Sequence, residues 1–333
     1  MADELELLGR ANPVPSGDPR FRDRPLDARA EHRLSQLLHS AAPPTRTGRT
    51  GNRTRRWVWG LATAVAAGAT ALALLLSGPA TIPAVAAPRP LVVRADSTPV
   101  PLDRLADRIA ASGSPLRLVQ GTHVQSWSLG MTSGAEARPP ITLPEERVVR
   151  WKADGSHTEL VVATDPRHPG KPVIVAAEDG ITPRTVEDGH VLSRTNFPPS
   201  WSDAPPQARP PHNAKALLAY LDELAYSDDK LTTPQLLDSM AVLLDNWTLG
   251  SRESVALIRV LAEAGGLRPV GEVTDRLGRR GQAYVYATPG SRRMIVLDPL
   301  TGAVLGLEQT FVIDQPEYGV KAGDVMDYRA WMR

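Results

Sequence analysis

The longest apolar stretch of the chain, residues 57–76, holds 20 residues without an ionisable side chain. A helix of that length spans the ~30 Å hydrocarbon layer of a membrane, because each residue adds ~1.5 Å. The pattern therefore predicts a transmembrane helix over residues 57–77, with Pro79 just beyond its end. Two other interpretations stay open: a helix buried in a soluble core, and a signal peptide cleaved after the small residues 84–86.

The distribution of arginine gives this predicted helix a direction. The 20 residues before it carry five arginines and no acid, whereas residues 77–96 carry two arginines and one aspartate. Positively charged flanks stay in the cytosol. The sequence thus predicts a single-pass protein of the cell membrane, in contact with membrane lipid. Its N-terminus is expected in the cytoplasm and its C-terminal domain outside.

Residues 1–56 are predicted to form a largely flexible cytosolic tail with one amphipathic helix over residues 26–40. Leu34, Leu37 and Leu38 lie on the apolar stripe of that helix. One short helix cannot bury its own stripe, so it is frayed, lies on the membrane or docks in the groove of a partner protein. These three leucines are the candidate partner-binding residues of the tail.

Alternating apolar and polar positions dominate the region after the membrane segment. Residues 78–101 are rich in Pro and Ala and predict a stalk. The region 102–197 begins with a helical stripe and continues as an antiparallel sheet region, with a hairpin turn at Asp154-Gly155. Six prolines in residues 198–212 predict a linker, since proline cannot pair within a central strand.

The last region, residues 213–333, shows three helical patterns followed by a meander. Helix starts are predicted after Asn213, at Thr233-Pro234 and at Ser251. Four antiparallel strands are then expected between residues 270 and 313. The predicted fold class is α+β: a single transmembrane helix followed by an extracytoplasmic domain of antiparallel sheets with a helical insert.

Composition and motifs restrict the chemistry. The chain has no cysteine, which excludes disulfides, Cys-ligated metals and a cysteine nucleophile. No catalytic or nucleotide-binding motif is present, so the sequence predicts no enzyme, no cofactor and no metal site. The net charge of +1 gives no reason to expect direct nucleic-acid binding. Trp127 and Trp151 are either core residues or the lining of an apolar ligand cleft.

Several runs resemble a group of actinobacterial single-pass membrane proteins of largely undefined function. The runs are the ELELL start (4–8), the arginine cluster 53–56, VQSWSLG (124–130), VRWKADGS (149–156) and the closing pattern from VGEVTDRLGRRGQAY to VLDPLTGAVLG (270–306). Such proteins are often encoded beside sigma factors of the extracytoplasmic-function type, so the resemblance implies an anti-sigma-like role. The zinc-binding version of that role is excluded because cysteine is absent.

Two functions follow as hypotheses. In the first, the outer domain senses an envelope condition and the tail helix holds a cytosolic sigma factor or another regulator. In the second, the outer domain is a membrane-anchored module that binds a lipid or cell-wall ligand. The sheet region also resembles the curved antiparallel sheets of periplasmic lipoprotein carriers and sigma regulators, and fold likeness alone does not transfer function.

Overall fold

The computed structural model describes residues 88–113, 116–132, 140–177, 182–199, 207–226 and 229–333. These residues form four α-helices, twelve strands and one short 3₁₀-helix. The helices are α1 (Leu102–Ser112), α2 (Ala214–Leu224), α3 (Thr233–Leu244) and α4 (Ser251–Glu263), and the 3₁₀-helix is Pro316–Tyr318.

The strands come from both the N-terminal and the C-terminal parts of the described chain. They are β1 (Val119–Gly130), β2 (Ile141–Trp151), β3 (His157–Ala163), β4 (Val173–Ala176), β5 (Pro183–Val186), β6 (His190–Phe197), β7 (Trp247–Thr248), β8 (Arg268–Thr274), β9 (Arg280–Ala287), β10 (Ser291–Leu297), β11 (Val304–Phe311) and β12 (Val325–Met332).

Ten of these strands make one antiparallel sheet. Its order is β6-β3-β2-β1-β12-β11-β10-β9-β8, and β7 pairs with β1 beside this path. The last strand, β12, lies between β1 and β11, so it joins the two parts of the chain. The strands β4 and β5 form a separate hairpin that packs on the end of β3 through Ala163, Val173 and Val175.

Each face of the sheet has its own hydrophobic core, because successive side chains of a strand point to opposite faces. The four helices bury their apolar stripes on one face, where Ile295 and Trp331 contribute from the sheet. The opposite face is packed around Trp127, Met294 and Tyr328. We call these the helix face and the open face.

Local signals explain the start of each main element. The side chain of Asn213 accepts a hydrogen bond of 2.9 Å from the backbone N–H of Ala216, which caps α2. Thr232 and Gln235 form the capping box of α3. The predicted turn at Asp154-Gly155 joins β2 to β3, and Gly155 adopts a positive φ of 81° there.

A segment ahead of α1, residues 88–97, runs from β11, where Leu91 packs into the core of the open face, to the outer edge of the sheet at β8. We call it the strap. Val93 forms an antiparallel bridge with Val273 of β8, and the backbone N–H of Arg94 donates to the carbonyl oxygen of Glu272 at 2.9 Å. The strap therefore covers the edge that β8 would otherwise present to solvent.

The predicted fold class is wrong. The described residues form one continuous ten-stranded sheet with helices on one face, where the prediction had a transmembrane helix and several sheets with a helical insert. No helix within the described ranges has the length and apolar character to cross a membrane. The longest, α4, has 13 residues and spans about 20 Å, well short of ~30 Å. The segment 57–77 lies outside the described residues.

Candidate functional site

A cavity of about 260 Å³ opens where β7, β11 and β12 meet on the helix face. Its walls are largely hydrocarbon and include two indole rings. The residues that supply this apolar lining are Leu244, Trp247, Leu249, Val304, Leu305 and Trp331. Small-molecule sites are concave, mostly apolar and carry a few placed polar groups. This cavity has that character and is the candidate functional site.

The indole of Trp331 is held in a fixed position at the wall. Its Nε1–H donates to Oδ1 of Asp245 at 3.1 Å, and Arg329 donates to Oδ2 of the same carboxylate at 2.7 Å. Asp245 is the C-cap residue of α3, so the helix end positions the ring. Desolvation raises the pKa of Asp245, while the charge of Arg329 opposes that shift.

Arg279 brings a guanidinium group to the cavity. Its Nε–H donates to Asp275 at 2.7 Å, and its two terminal nitrogens donate to the carbonyl oxygens of Trp331 and Leu305, each at 2.7 Å. The side chain keeps 29% of its surface exposed. These contacts fix the plane of the guanidinium group at the cavity wall, and its charge is paired with the carboxylate of Asp275.

A second arginine and one acid complete the charged lining. Arg333 donates to the carbonyl oxygen of Leu249, and burial lowers the pKa of its guanidinium. Asp298 already accepts hydrogen bonds from the backbone N–H groups of Leu300, at 2.7 Å, and Thr301, at 3.2 Å. The charged lining thus holds two guanidinium groups and one carboxylate, and the charge of Arg279 is paired with that of Asp275 at 2.6 Å.

The cavity presents apolar contact area and the guanidinium groups of two arginines to a ligand. The hydroxyl of Thr248 donates to the carbonyl oxygen of Gly121 at 2.9 Å, which ties β7 to β1. Among the described residues, no three His, Asp or Glu side chains are grouped to hold a metal ion. Apolar walls with fixed guanidinium groups suit non-covalent binding of a ligand with an apolar body and a negative end.

The structure places the predicted cleft residues on opposite faces of the sheet. Trp127 lies opposite Pro144 of β2, and Trp151 comes seven residues after Pro144 in an unbroken register. Residues an odd number of positions apart in a strand point to opposite faces of the sheet. Trp127 is 1% exposed in the core of the open face, with the guanidinium of Arg167 5.2 Å from its ring centre. The two tryptophans therefore do not share a cleft.

Trp151 instead begins a row of stacked rings across three strands. Its ring centre lies 4.1 Å from that of His157, which lies 4.5 Å from that of Phe197. Burial lowers the pKa of His157, so this ring stays neutral over a wider pH range. The row ends at the edge strand β6. The tail residues Leu34, Leu37 and Leu38 lie outside the described residues.

Sequence reasoning missed the residues of the cavity. Trp247 lies three residues after the end of α3, and Trp331 lies in β12, a strand that was not predicted. Arg279 lies in the turn that joins β8 to β9. The pairing of β1 with both β7 and β12 brings these residues together. No local pattern in the sequence indicates that pairing.

No protein-family model matches the chain, and no curated protein matches it at a significant level.

Proposed function

We propose that the domain formed by the described residues is a binding module for a small ligand with an apolar body and an anionic end. The observation that supports the proposal is the cavity of about 260 Å³ walled by Trp247, Trp331 and aliphatic side chains, with Arg279 and Arg333 at its lining. This agrees with the second hypothesis from the sequence, in which the domain binds a lipid or cell-wall ligand.

The size of the cavity restricts the ligand. At ~30 Å³ for each water molecule in the liquid, about 260 Å³ corresponds to roughly nine water-sized volumes. The occupant therefore has on the order of ten non-hydrogen atoms, such as a short acyl chain with a carboxylate. Seven buried methylene-sized groups contribute about 5–6 kcal/mol at ~0.8 kcal/mol each. This contribution alone corresponds to a Kd on the order of 0.1 mM, and the entropic costs of binding raise the Kd above that value.

The anti-sigma-like sensor role stays a prediction of the sequence. It depends on the tail residues and on segment 57–77, all of which lie outside the described residues. The location of the domain outside the membrane, its contact with membrane lipid and a sigma factor as partner also stay predictions of the sequence. A ligand site in the folded domain is compatible with a sensor, since a sensor needs something to bind.

Octanoate, with ten non-hydrogen atoms, is the probe that tests the proposal. Titration into the purified full-length chain, followed by tryptophan fluorescence, is expected to show saturable binding because Trp247 and Trp331 line the cavity. Octylammonium should bind at least about tenfold more weakly, because its charge meets two guanidinium groups. Equal binding of both compounds would contradict the anionic preference.

A cavity-filling substitution locates the site. Ala303 lines the cavity, so Ala303→Leu is expected to abolish octanoate binding with the fold intact. Ala287→Leu is the matched control, since Ala287 is exposed at the end of β9 and away from the cavity. If both variants bind octanoate like the parent chain, the cavity is not the site and the proposal fails.

A further inference from the structure

The strap is attached to the sheet through one buried carboxylate. Its Leu91 backbone N–H donates to both carboxylate oxygens of Glu308, at 2.9 and 3.3 Å. Glu308 lies on β11, is fully buried and also pairs with the guanidinium of Arg276. A second guanidinium, that of Arg292, lies 4.0 Å away. Hydrogen bonds to an ionised acceptor in a dry environment are strong, so Glu308 is the main attachment point.

The remainder of the strap is loosely held. Val92 is 79% exposed, and Arg89, Ala95 and Asp96 are exposed as well. Beyond Leu91, it is held by the bridge at Val93 and a few hydrogen bonds at the edge of β8. Segments with few buried contacts and solvent-exposed hydrogen bonds open locally before a domain unfolds. Val92 and residues 94–96 have both properties, whereas Leu91 is buried in the core of the open face and Val93 packs against that core.

The turn between β8 and β9 connects this attachment point to the cavity. Residues 275–279 carry Arg276, which pairs with Glu308, and Arg279, which forms part of the cavity wall. The turn is rigid: the carboxylate of Asp275 accepts from the backbone N–H groups of Leu277, at 3.0 Å, and Arg279, at 2.7 Å. A change in the contacts of Arg279 is therefore transmitted to the backbone that positions Arg276.

We propose that the strap is a latch that opens locally, and that the turn 275–279 couples its opening to the position of Arg279 in the cavity wall. The link to ligand rests on the proposed function. The latch itself does not depend on a ligand, because its parts are the strap, Glu308 and Arg276.

Hydrogen exchange on the full-length chain tests the latch. The amides of residues 91–97 are expected to exchange faster than those of β9 and β10, with little dependence on denaturant, as local opening requires. Glu308→Gln should speed strap exchange by about tenfold, since a charge-assisted hydrogen bond is lost. If strap and β9 amides share one rate and one denaturant dependence in the parent chain, the strap opens only with the whole domain and the latch is refuted.

A disulfide provides the converse test. Val93 and Val273 lie opposite each other in an antiparallel bridge, at a distance that a disulfide spans. The chain has no other cysteine, so Val93→Cys with Val273→Cys forms a single defined cross-link. Oxidation should slow strap exchange to the rate of β9, and reduction should restore it. Strap exchange that is indifferent to the cross-link would overturn the proposal.

The coupling is tested with two arginines. Arg279→Gln is expected to speed strap exchange without touching the strap, whereas Arg194→Gln, at an exposed position on β6 at the opposite edge of the sheet, should leave it unchanged. An unchanged strap in Arg279→Gln refutes the coupling, even where octanoate still binds the parent chain. Accelerated strap exchange in a chain that does not bind octanoate supports the coupling and refutes the proposed ligand.

Discussion

Trp127 lies directly opposite Tyr328 in the β1–β12 pair, with ring centres 5.5 Å apart. Both side chains are fully buried on the open face. This contact joins strands that are about 200 residues apart in the sequence. The aromatic pair therefore closes the sheet that the two parts of the chain share.

The first prediction concerns this pair. Trp127→Ala should lower the free energy of unfolding by about 3–5 kcal/mol, since it leaves a large cavity beside Tyr328. Trp151→Ala, at a partly exposed position on the helix face, should cost about 1–2 kcal/mol. Chemical denaturation measures both. Equal losses would argue against the separate roles of the two tryptophans.

The second prediction concerns the pH dependence of stability. Desolvation raises the pKa of Glu308 above its ordinary value of 4.5, and the facing groups Arg276 and Arg292 oppose this only in part. The folded state then binds a proton more tightly than the unfolded state. The free energy of unfolding should therefore fall as pH rises from 4.5 through the raised pKa.

Glu308→Gln removes this titration, so its stability should change less over the same pH window. Urea denaturation at several pH values measures the difference between the two chains. Parallel curves for both chains would show that Glu308 does not titrate differently on folding. Tyr328 also lies close to Arg276, but burial raises its pKa far above this window.

The third prediction concerns the start of α2. Asn213→Ala removes the cap on the backbone N–H of Ala216 and should cost about 1 kcal/mol. Asn213→Asp keeps an acceptor at the same place and should cost much less. Thermal unfolding of the two variants separates them. If they lose equal stability, the cap bond contributes nothing.

The fourth prediction uses two glycines with the same backbone conformation. Gly302 and Gly170 both have φ of 73°. A Cβ at Gly302 would come within 2.9 Å of buried Ile109 and Ile258, whereas a Cβ at Gly170 meets nothing within 4 Å. Gly170→Ala should cost about 1 kcal/mol from backbone strain alone.

Gly302→Ala should cost a further 1–3 kcal/mol or so, because overpacking of the core is added to the same strain. Denaturation of both variants under one condition gives the difference directly. A cost at Gly302 no larger than at Gly170 would mean that the two isoleucines move aside freely.

The sequence predicted the local elements well where a local signal exists. The cap at Asn213 and the turn at Asp154-Gly155 each act within four residues, and both are confirmed. The helix predicted at Thr233-Pro234 is also present, but its cap is Thr232, one residue earlier than Thr233. Pro144 lies within β2, although proline is unfavourable in a central strand. The structure tolerates this proline because β3 pairs only from Glu145 onward.

What could not be predicted depends on contacts between distant residues. The strand β12 has no turn signal that links it to β1, so nothing local indicates that Tyr328 meets Trp127. The cavity was missed for the same reason, since Trp247 and Trp331 meet only once that sheet has formed. Patterns specify elements, whereas the order of strands in a sheet is set by packing over the whole chain.

The two ends of the sheet differ in what covers them. The strap covers β8, whereas β6 bears exposed side chains on both faces and pairs only with β3 among the described residues. Without the strap, β8 would present unpaired backbone N–H and C=O groups, which are a template for pairing with another chain. The strap thus also protects this end of the sheet against edge-to-edge association.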